Sequence, residues 1–436
     1  MTSPVPTQRI EATRTLEAMR LGVVPYADLG GYSVGREVEM GEVDADLSAT
    51  ESGRGAVRAF LGDYGLGKTH LLELIAHRAL ERNFLVMQVV LDAEDNAPSH
   101  PRRVYRALVR SLRYPDRPGG QGLGLGPLLE QARKLEIVQE QFQLSQGVRG
   151  RRRRDRLDEG MHLYLTPAMS YLTALDQLDS QPDDDFDPRT RRLLLDWIEG
   201  HPTLSNQDID QALAALPGPK QRIYSLKDYR PWARIYGYLL SGLAGVARMC
   251  GYGGLVLLVD EAELYALLSK ENRDYAQNLF KALSCASLGT GRIPFDASEL
   301  DLGGYGILQD LPPRYGQEPS MYTVFAMTPN SGGIETLHAA VPADSISELS
   351  AFGTEDYEEL VRRVCAFYGL ASPQWTFPDQ ALAPLMRVTA GLVETGFVAN
   401  PRQAMKFLIE FLDLLRHRPA DISPVVRRLQ ERLGPA

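Results

Sequence analysis

The sequence Gly62-Asp63-Tyr64-Gly65-Leu66-Gly67-Lys68-Thr69 decides the fold, because it is a complete GxxxxGK[ST] phosphate-binding loop. Its glycines let the backbone curl so that successive N–H groups face the phosphates. In this motif Lys68 reaches the β and γ oxygens, and the Thr69 hydroxyl ligates Mg²⁺. An apolar strand candidate precedes the loop at residues 56–61, and residues 69–80 repeat apolar side chains at helical spacing. The stretch predicts binding of a nucleoside triphosphate, with His70 as a structural residue beside the loop.

A second motif places two carboxylates at the end of a buried strand. Residues 254–259 form a continuous apolar run, typical of a central parallel strand, and the run ends in Asp260 and Glu261. We expect Asp260 to hold Mg²⁺ through its water shell and Glu261 to orient and deprotonate the attacking water. Asp260 can also be the N-cap of a following helix. With the phosphate loop, this pair favours an ATPase over a simple nucleotide-binding fold.

Polar residues at two further boundaries extend the predicted site. The strand candidate at residues 321–327 runs into Thr328 and Asn330, and either one can sense hydrolysis by holding the attacking water or be a turn residue. Near the C-terminus, we expect a helix to begin at Pro401. Proline is tolerated at the first position of a helix, because an N–H group there has no partner within the helix. Arg402 therefore lies at a helix start, where the dipole does not favour a cation. We expect an external anion, such as a triphosphate, to be its partner.

The order of these features resembles an AAA+ ATPase of the branch that includes the origin-recognition initiators. Gly35 and Arg36, within residues 34–37, resemble the box that packs on the adenine. The loop resembles the Walker A motif, and residues 255–261 resemble the Walker B motif. Thr328 or Asn330 is similar to the first sensor, and Arg402 to the second.

Within that branch, residues 60–73 are most similar to ATP-binding proteins of bacteriophage exclusion (BREX) defence systems, BrxD and the ATPase domain of BrxC. The resemblance implies ATP and Mg²⁺ as cofactors, other defence-system proteins and DNA as partners, and a homo-oligomer. One departure is an insertion at about residues 115–220. Another concerns the arginine finger, which AAA+ rings usually supply to the γ-phosphate of a neighbouring subunit from a segment shortly after the first sensor, because residues 315–360 contain no Arg or Lys. Either the finger comes from elsewhere, with Arg292 or Arg314 as candidates, or the subunits do not activate one another in the usual way.

The predicted fold is a three-layer α/β/α P-loop (AAA+/ASCE) core with a parallel sheet, a helical insertion and a C-terminal helical lid. We expect N-terminal helices and the adenine-side box in residues 1–52, the core in 53–114 and 221–352, the insertion in 115–220, and the lid in 353–436. Further strands are predicted at 84–91 and 345–349. Helices are predicted at 7–21, 102–112, 128–144, 167–178, 190–199, 229–249, 354–368, 380–390, 401–417 and 423–432, with an acidic helix inside 30–50.

Positive charge is concentrated in the insertion. A run of arginines there can neutralise nucleic-acid phosphates, or be a solvated loop. A second group at 102–113 can instead satisfy acidic neighbours. The net charge of −9 argues against indiscriminate coating of DNA, so binding should be confined to a patch. The run comprises Arg149, Arg151, Arg152, Arg153, Arg154 and Arg156.

Composition predicts a soluble cytoplasmic protein. No run of about 18 apolar residues is present, which argues against a membrane span. Residues 1–6 lack the basic and apolar regions of a signal peptide. The cysteines, Cys250, Cys285 and Cys365, are isolated and resemble small core residues more than a disulfide framework or metal site.

The leading hypothesis is a DNA-associated AAA+ ATPase of a phage-defence locus, which uses ATP binding and hydrolysis to switch conformation or assembly. The competing hypothesis is an ATP-dependent regulatory module with little turnover that controls a partner protein. A small-molecule P-loop kinase is disfavoured, because the pair Asp260 and Glu261 and the late Arg402 are not what a kinase needs.

Overall fold

The computed structural model describes residues 6–23, 29–117, 123–147, 152–179, 189–202, 206–214, 216, 218, 220–300, 310–375 and 377–421. The chain divides into two compact units. The sheet unit comprises Glu42–Leu61 and Ala76–Ser347, and the helical unit comprises Met1–Gly41, Gly62–Ile75 and Glu348–Ala436. The predicted domain boundaries stay a prediction, and the helix expected at 423–432 lies outside the described residues.

A five-stranded, all-parallel sheet with helices on both sides confirms the predicted three-layer architecture. Its order is β2 (Leu85–Val90), β3 (Leu255–Asp260), β4 (Met321–Met327), β1 (Ala56–Leu61) and β5 (Ile346–Glu348), so β4 separates the strand before the phosphate loop from the strand that carries Asp260. The continuous apolar runs of β3 and β4 are buried along their whole length, as in other central parallel strands. Each predicted strand is therefore confirmed.

One hydrophobic core joins the sheet to the inserted helices, since Leu257 of β3, Leu172 and Trp197 belong to the same buried cluster. The central helix α12 contacts both β3 and helices of the insertion. The helices that belong wholly to this unit are α5 (Pro101–Arg110), α6 (Gly126–Ala132), α7 (Glu136–Gln141), α8 (Arg153–Asp158), α9 (Leu165–Asp179), α10 (Arg189–Ile198), α11 (Asn206–Leu213), α12 (Ala233–Met249), α13 (Lys270–Leu288) and α14 (Ser331–His338).

One helix prediction in the insertion was wrong in part. The single helix expected at 128–144 is two short helices, α6 and α7. Leu135 between them is extended, with φ −86° and ψ 127°, and packs against the core. Tertiary packing overrides the helical propensity of the sequence at this point.

The helical unit has its own core, in which α1 (Pro6–Leu21) packs against the two helices α15 (Thr354–Ala371) and α17 (Pro401–His417). Asn400 and Pro401 begin α17 as predicted, because the Asn400 side chain accepts a hydrogen bond from the Gln403 N–H at 3.0 Å. The other helices are α2 (Leu29–Tyr32) and α16 (Asp379–Glu394), with α3 (Glu37–Glu51) and α4 (Lys68–Glu81) continuing from one unit into the other. Among the described helices, none combines the length and hydropathy that crossing a membrane requires.

Candidate functional site

The phosphate-binding loop has the backbone that its glycines permit. It follows β1 along the chain and ends where α4 begins at Lys68. Gly65 and Gly67 have φ values of +87° and +92°, in the left-handed region that favours glycine. The Lys68 amine is buried and donates to the carbonyl of Gly62 at 2.9 Å. The lysine thus folds back across its own loop, while the Asp63 side chain is exposed and that of Thr69 is half-buried.

The beginning of α17 lies against this loop within the helical unit. A Cβ atom on Gly65 would lie 2.5 Å from the amide carbon of Asn400, so no larger residue fits there without displacing Asn400. The same Asn400 caps α17. The contact joins the helix that carries Arg402 to the loop, and sequence reasoning did not foresee it.

The Arg402 guanidinium meets the aromatic residue of the loop. Its Nη1 donates to the Tyr64 phenol oxygen at 2.7 Å, and the guanidinium carbon lies 5.4 Å from the centroid of the ring. The tyrosine ring is 70% exposed. The predicted second sensor and the phosphate loop are therefore in contact.

Arg36 anchors the loop from the other side. Its guanidinium is 4% exposed, and Nη2 donates to the carbonyl of Leu66. Nη1 donates to Glu39 at 3.1 Å and to the carbonyl of Ser350 at 3.0 Å. Burial lowers the pKa of Arg36, and the Glu39 carboxylate opposes this shift. Sequence reasoning missed Glu39, although its position three residues after Arg36, in the first turn of the helix that begins at Glu37, is a signal for an ion pair.

The residue before Arg36 is also fixed by its surroundings. Gly35 has φ +64°, and a Cβ there would lie 2.8 Å from a carboxylate oxygen of Asp356. The predicted adenine-side box thus contacts the loop through Arg36, and Gly35 permits the close approach of α15.

His70 lies beside the loop in a largely apolar setting. Its Nε2 is 2.8 Å from the Ser33 hydroxyl, and its ring centroid is 5.1 Å from that of Tyr32. Burial lowers the pKa of His70 to about 4, and the positive charge of Arg36 adds to the effect. The imidazole is neutral at pH 7 and braces the start of α4.

In the sheet unit, Asp260 and Glu261 end β3 in an unusual backbone conformation. Asp260 is 1% exposed, and its Oδ1 accepts from the Glu261 N–H at 2.9 Å. Glu261 has φ +58° and ψ +36°, a left-handed conformation that costs a residue with a side chain about 1–2 kcal/mol. Glu261, one residue later than predicted, is the N-cap of the short helix Ala262–Leu267.

The two candidate first sensors have different surroundings. The Asn330 amide oxygen accepts from the Gly333 N–H at 2.7 Å and caps α14. Thr328 is half-buried directly after β4, the neighbour of β3 in the sheet. Since adjacent strands lie about 4.8 Å apart, Thr328 and Glu261 follow neighbouring strand ends at the same edge.

The arginine run of the insertion separates into different kinds of residue. Arg149 and Arg151 lie outside the described residues, while Arg152 and Arg154 are exposed. Arg153 donates from Nε to Asp310 at 3.0 Å.

Arg156 was predicted to contact DNA, and its burial contradicts this prediction. This side chain is 4% exposed, and its guanidinium stacks 5.6 Å from the Tyr224 ring and donates to the phenol oxygen. Burial leaves it no surface for a phosphate. In the second basic group, Arg102 and Arg103 pair with Asp228 at 3.4 and 2.8 Å, as the alternative interpretation predicted.

The predicted magnesium ligands, Thr69 and Asp260, supply a hydroxyl and a carboxylate oxygen, the donors that Mg²⁺ prefers. Within the described ranges, no group of three or more His, Cys, Asp and Glu side chains forms a metal site made of protein ligands alone. Each of these donors, Thr69 in the helical unit and Asp260 in the sheet unit, is of the kind that binds magnesium together with phosphates and water.

Comparison with known families gives a match over residues 7–289 to the family described as "BREX system ATP-binding protein BrxC/D". The matched residues include the phosphate loop, Asp260 and Glu261, whereas Thr328, Asn330 and Arg402 lie beyond them. No curated protein matches the chain.

Proposed function

The chain belongs to the BrxC/D family of BREX system ATP-binding proteins, and on this premise we propose that it hydrolyses the ATP it binds. Hydrolysis would drive a conformational or assembly switch that acts on DNA during bacteriophage defence. The observation that carries the proposal is the left-handed backbone of Glu261 directly after the buried Asp260. Strain of this kind is concentrated at functional sites.

Each residue has a distinct role in the proposed reaction. Lys68 neutralises the β and γ oxygens, and Thr69 and Asp260 would hold Mg²⁺, which supplies charge stabilisation when bound. Glu261 accepts a proton from a water molecule while the oxygen of that water attacks the γ-phosphorus. The bond between the γ-phosphorus and the bridging oxygen breaks, so ADP and phosphate are the products.

Thr328 is the better proposed first sensor, because it directly follows β4, the neighbour of the strand that ends in Asp260. The Arg402 guanidinium would leave Tyr64 and supply positive charge to the γ-phosphate. Gly35, Arg36 and His70 shape and support the loop.

For DNA, the exposed Arg152 and Arg154 are the described residues of the basic run best suited to contact phosphates. Other defence-system proteins, a homo-oligomeric assembly and a cytoplasmic location complete the proposal. They rest on family membership and on the resemblance to AAA+ proteins.

A second function is favoured by one feature of the sequence. Because residues 315–360 contain no Arg or Lys, the usual segment cannot supply an arginine finger. This favours an ATP-dependent regulatory module that turns over little ATP and controls a partner protein.

Steady-state ATP hydrolysis by the wild type and Glu261→Gln, with and without duplex DNA, separates the two functions. We expect activity that rises with DNA and falls at least about 100-fold in the variant, because general-base catalysis contributes about 10²–10⁴-fold. Glu271→Gln, at an exposed position of α13, is the matched control and should retain activity. Tight ATP binding without turnover in the wild type would support the regulatory module instead.

A further inference from the structure

The sheet unit contains a pocket of about 970 Å³ that the proposed reaction does not use. Its lining includes Gly53 and Arg54, which precede β1, and Pro319, which precedes β4. The pocket therefore lies at the amino ends of these strands. A strand of six residues at about 3.3 Å each separates this edge from the carboxyl ends, where Asp260 lies, by about 20 Å.

Arginines dominate the charge of this pocket. Arg54, Arg292 and Arg314 all line it, and its described lining residues include no Asp or Glu, although a carboxylate oxygen of Glu318 would lie 3.2 Å from a Cβ on the lining residue Gly53. Within the described part of the chain, none of these arginines forms an ion pair. Three positive side chains therefore share one pocket in a protein whose net charge is −9.

The backbone holds two of the guanidinium groups in place. Arg292 donates from Nη1 to the carbonyls of Arg54 and, at 3.3 Å, Gly55. Arg314 donates from Nη1 to the carbonyls of Gly316 and, at 3.0 Å, Gln317. Contacts with neutral carbonyls fix these groups without cancelling their charge, so the pocket is organised before any ligand binds.

Arg314 is a partly buried cation at the wall of the pocket. Its Nε is buried with no hydrogen-bond partner among the described residues, whereas its Nη1 contact with Gly316 is exposed. Burial also lowers the pKa of Arg314, and the nearby Cys285 opposes this shift. An anion in the pocket would relieve the cost of this partly buried charge.

We infer that this pocket binds a phosphate-bearing polyanion. The guanidinium fork matches the geometry of phosphate oxygens, and several phosphates match several arginines better than one carboxylate does. The volume is within the range of about 300–1,000 Å³ typical of small-molecule sites. The apolar side chains of Leu288 and Pro319 also line the pocket, and a sugar or base can pack against them. The ligand is either a free polyphosphate, such as a nucleotide, or a nucleic-acid strand, and this inference does not depend on ATP hydrolysis.

Tripolyphosphate binding, measured by titration calorimetry, tests the inference. Full-length Lys68→Ala protein is used throughout to weaken the contribution of the phosphate loop. We expect Arg54→Glu and Arg314→Ala each to weaken this binding at least tenfold, while Arg54→Lys, which keeps the charge but loses the guanidinium fork, weakens it less than Arg54→Glu does. Arg248→Ala, at an exposed arginine outside the pocket, is the control and should bind like its parent.

Fluorescein-labelled single-stranded DNA distinguishes the two sources of phosphate. If Arg54→Glu weakens DNA binding and tripolyphosphate displaces the DNA, the ligand of the pocket is a nucleic-acid strand. If the pocket binds tripolyphosphate but not DNA, the ligand is a free polyphosphate. Unchanged affinity of Arg54→Glu for both probes overturns the inference. So does tighter binding of poly-glutamate than of either phosphate probe. Arg54 is exposed, so its variants should fold normally, and thermal melting checks this.

Discussion

Arg402 donates a hydrogen bond to Tyr64 at 2.7 Å and stacks on its ring, which joins a helix start to a phosphate loop 338 residues earlier in the chain. In the proposed reaction the same guanidinium binds the γ-phosphate. Tyr64 and the phosphate therefore compete for Arg402. In that reaction, the hydrogen bond to the phenol adds to the free energy needed to move Arg402, the proposed second sensor, to the nucleotide.

Tyr64→Phe should make ATP bind about two- to fivefold more tightly. The substitution removes a hydrogen bond of about 0.5–1 kcal/mol that must otherwise break, but it keeps the ring beneath the guanidinium. Equilibrium titration with a non-hydrolysable ATP analogue measures the change, and Tyr229→Phe, at another exposed tyrosine, is the control. Weaker binding in Tyr64→Phe would mean that the phenol also supports Arg402 in the nucleotide-bound state.

Gly65→Ala should abolish tight ATP binding. The new Cβ would meet the Asn400 amide carbon at 2.5 Å, and the φ of +87° is strained for alanine. Adding Asn400→Gly should recover part of the affinity, because it removes the clash but not the strain. Gly369→Ala, at a helical position with no atom within 4 Å of its new Cβ, should bind ATP normally. Equal loss of affinity in the single and double variants would show that backbone strain alone is responsible.

Glu261→Gly should be more stable than Glu261→Ala by about 1 kcal/mol in urea unfolding, because glycine adopts the left-handed conformation without steric cost. Glu261→Asn should fall between them, since asparagine tolerates this region better than alanine. All three variants should lack ATPase activity. If the alanine variant equals the glycine variant in stability, Glu261 is not strained in the folded protein.

Much of the sheet was predictable from local sequence. β1, β3 and β4 are continuous apolar runs next to recognisable motifs, and α17 begins at the Asn400-Pro401 pair that identified it. In such stretches, burial and capping agree with the local pattern. The break between α6 and α7 was not predictable in this way, because the core, and not the local sequence, makes Leu135 extended.

The motifs of the candidate site were also visible, but their connections were not. Nothing in the spacing of residues shows that Arg36 holds the carbonyl of Leu66, or that Arg402 rests on Tyr64. These contacts depend on how distant segments pack. The left-handed conformation of Glu261 was equally hidden, because glutamate gives no sign of a positive φ.

Acid should destabilise the sheet unit through His162, which is fully buried. Its Nδ1 accepts hydrogen bonds from the N–H groups of Tyr164 at 3.1 Å and Leu165 at 3.0 Å, so Nδ1 carries no proton in the folded protein. Burial lowers the pKa of His162 to about 3, although a hydrogen bond to the Tyr238 carbonyl opposes the shift.

The unfolded chain, in which a histidine has a pKa near 6.5, therefore takes up the proton first as the pH falls. The contribution of His162 to stability is complete above about pH 6.5 and is lost progressively toward pH 3. Urea unfolding at pH 7 and pH 5 should show a smaller pH dependence for His162→Asn than for the wild type. His338→Gln, at an exposed histidine, should behave like the wild type. An unchanged pH dependence in His162→Asn would exclude this role.

The arginine run should divide into DNA contacts and structural residues. Arg152 and Arg154 are exposed, so replacing both with Ala should reduce the logarithmic salt slope of duplex binding by about 1.8, at about 0.9 per phosphate contact. Arg156→Ala should leave that slope unchanged and lower the stability of the insertion, because it removes the buried stacking on Tyr224. Fluorescence anisotropy at several salt concentrations measures the slope, and thermal melting measures the stability. ATP affinity should be the same in both variants. A slope that falls in Arg156→Ala but not in the double variant would reverse the assignment, since DNA would then have to displace Arg156 from Tyr224.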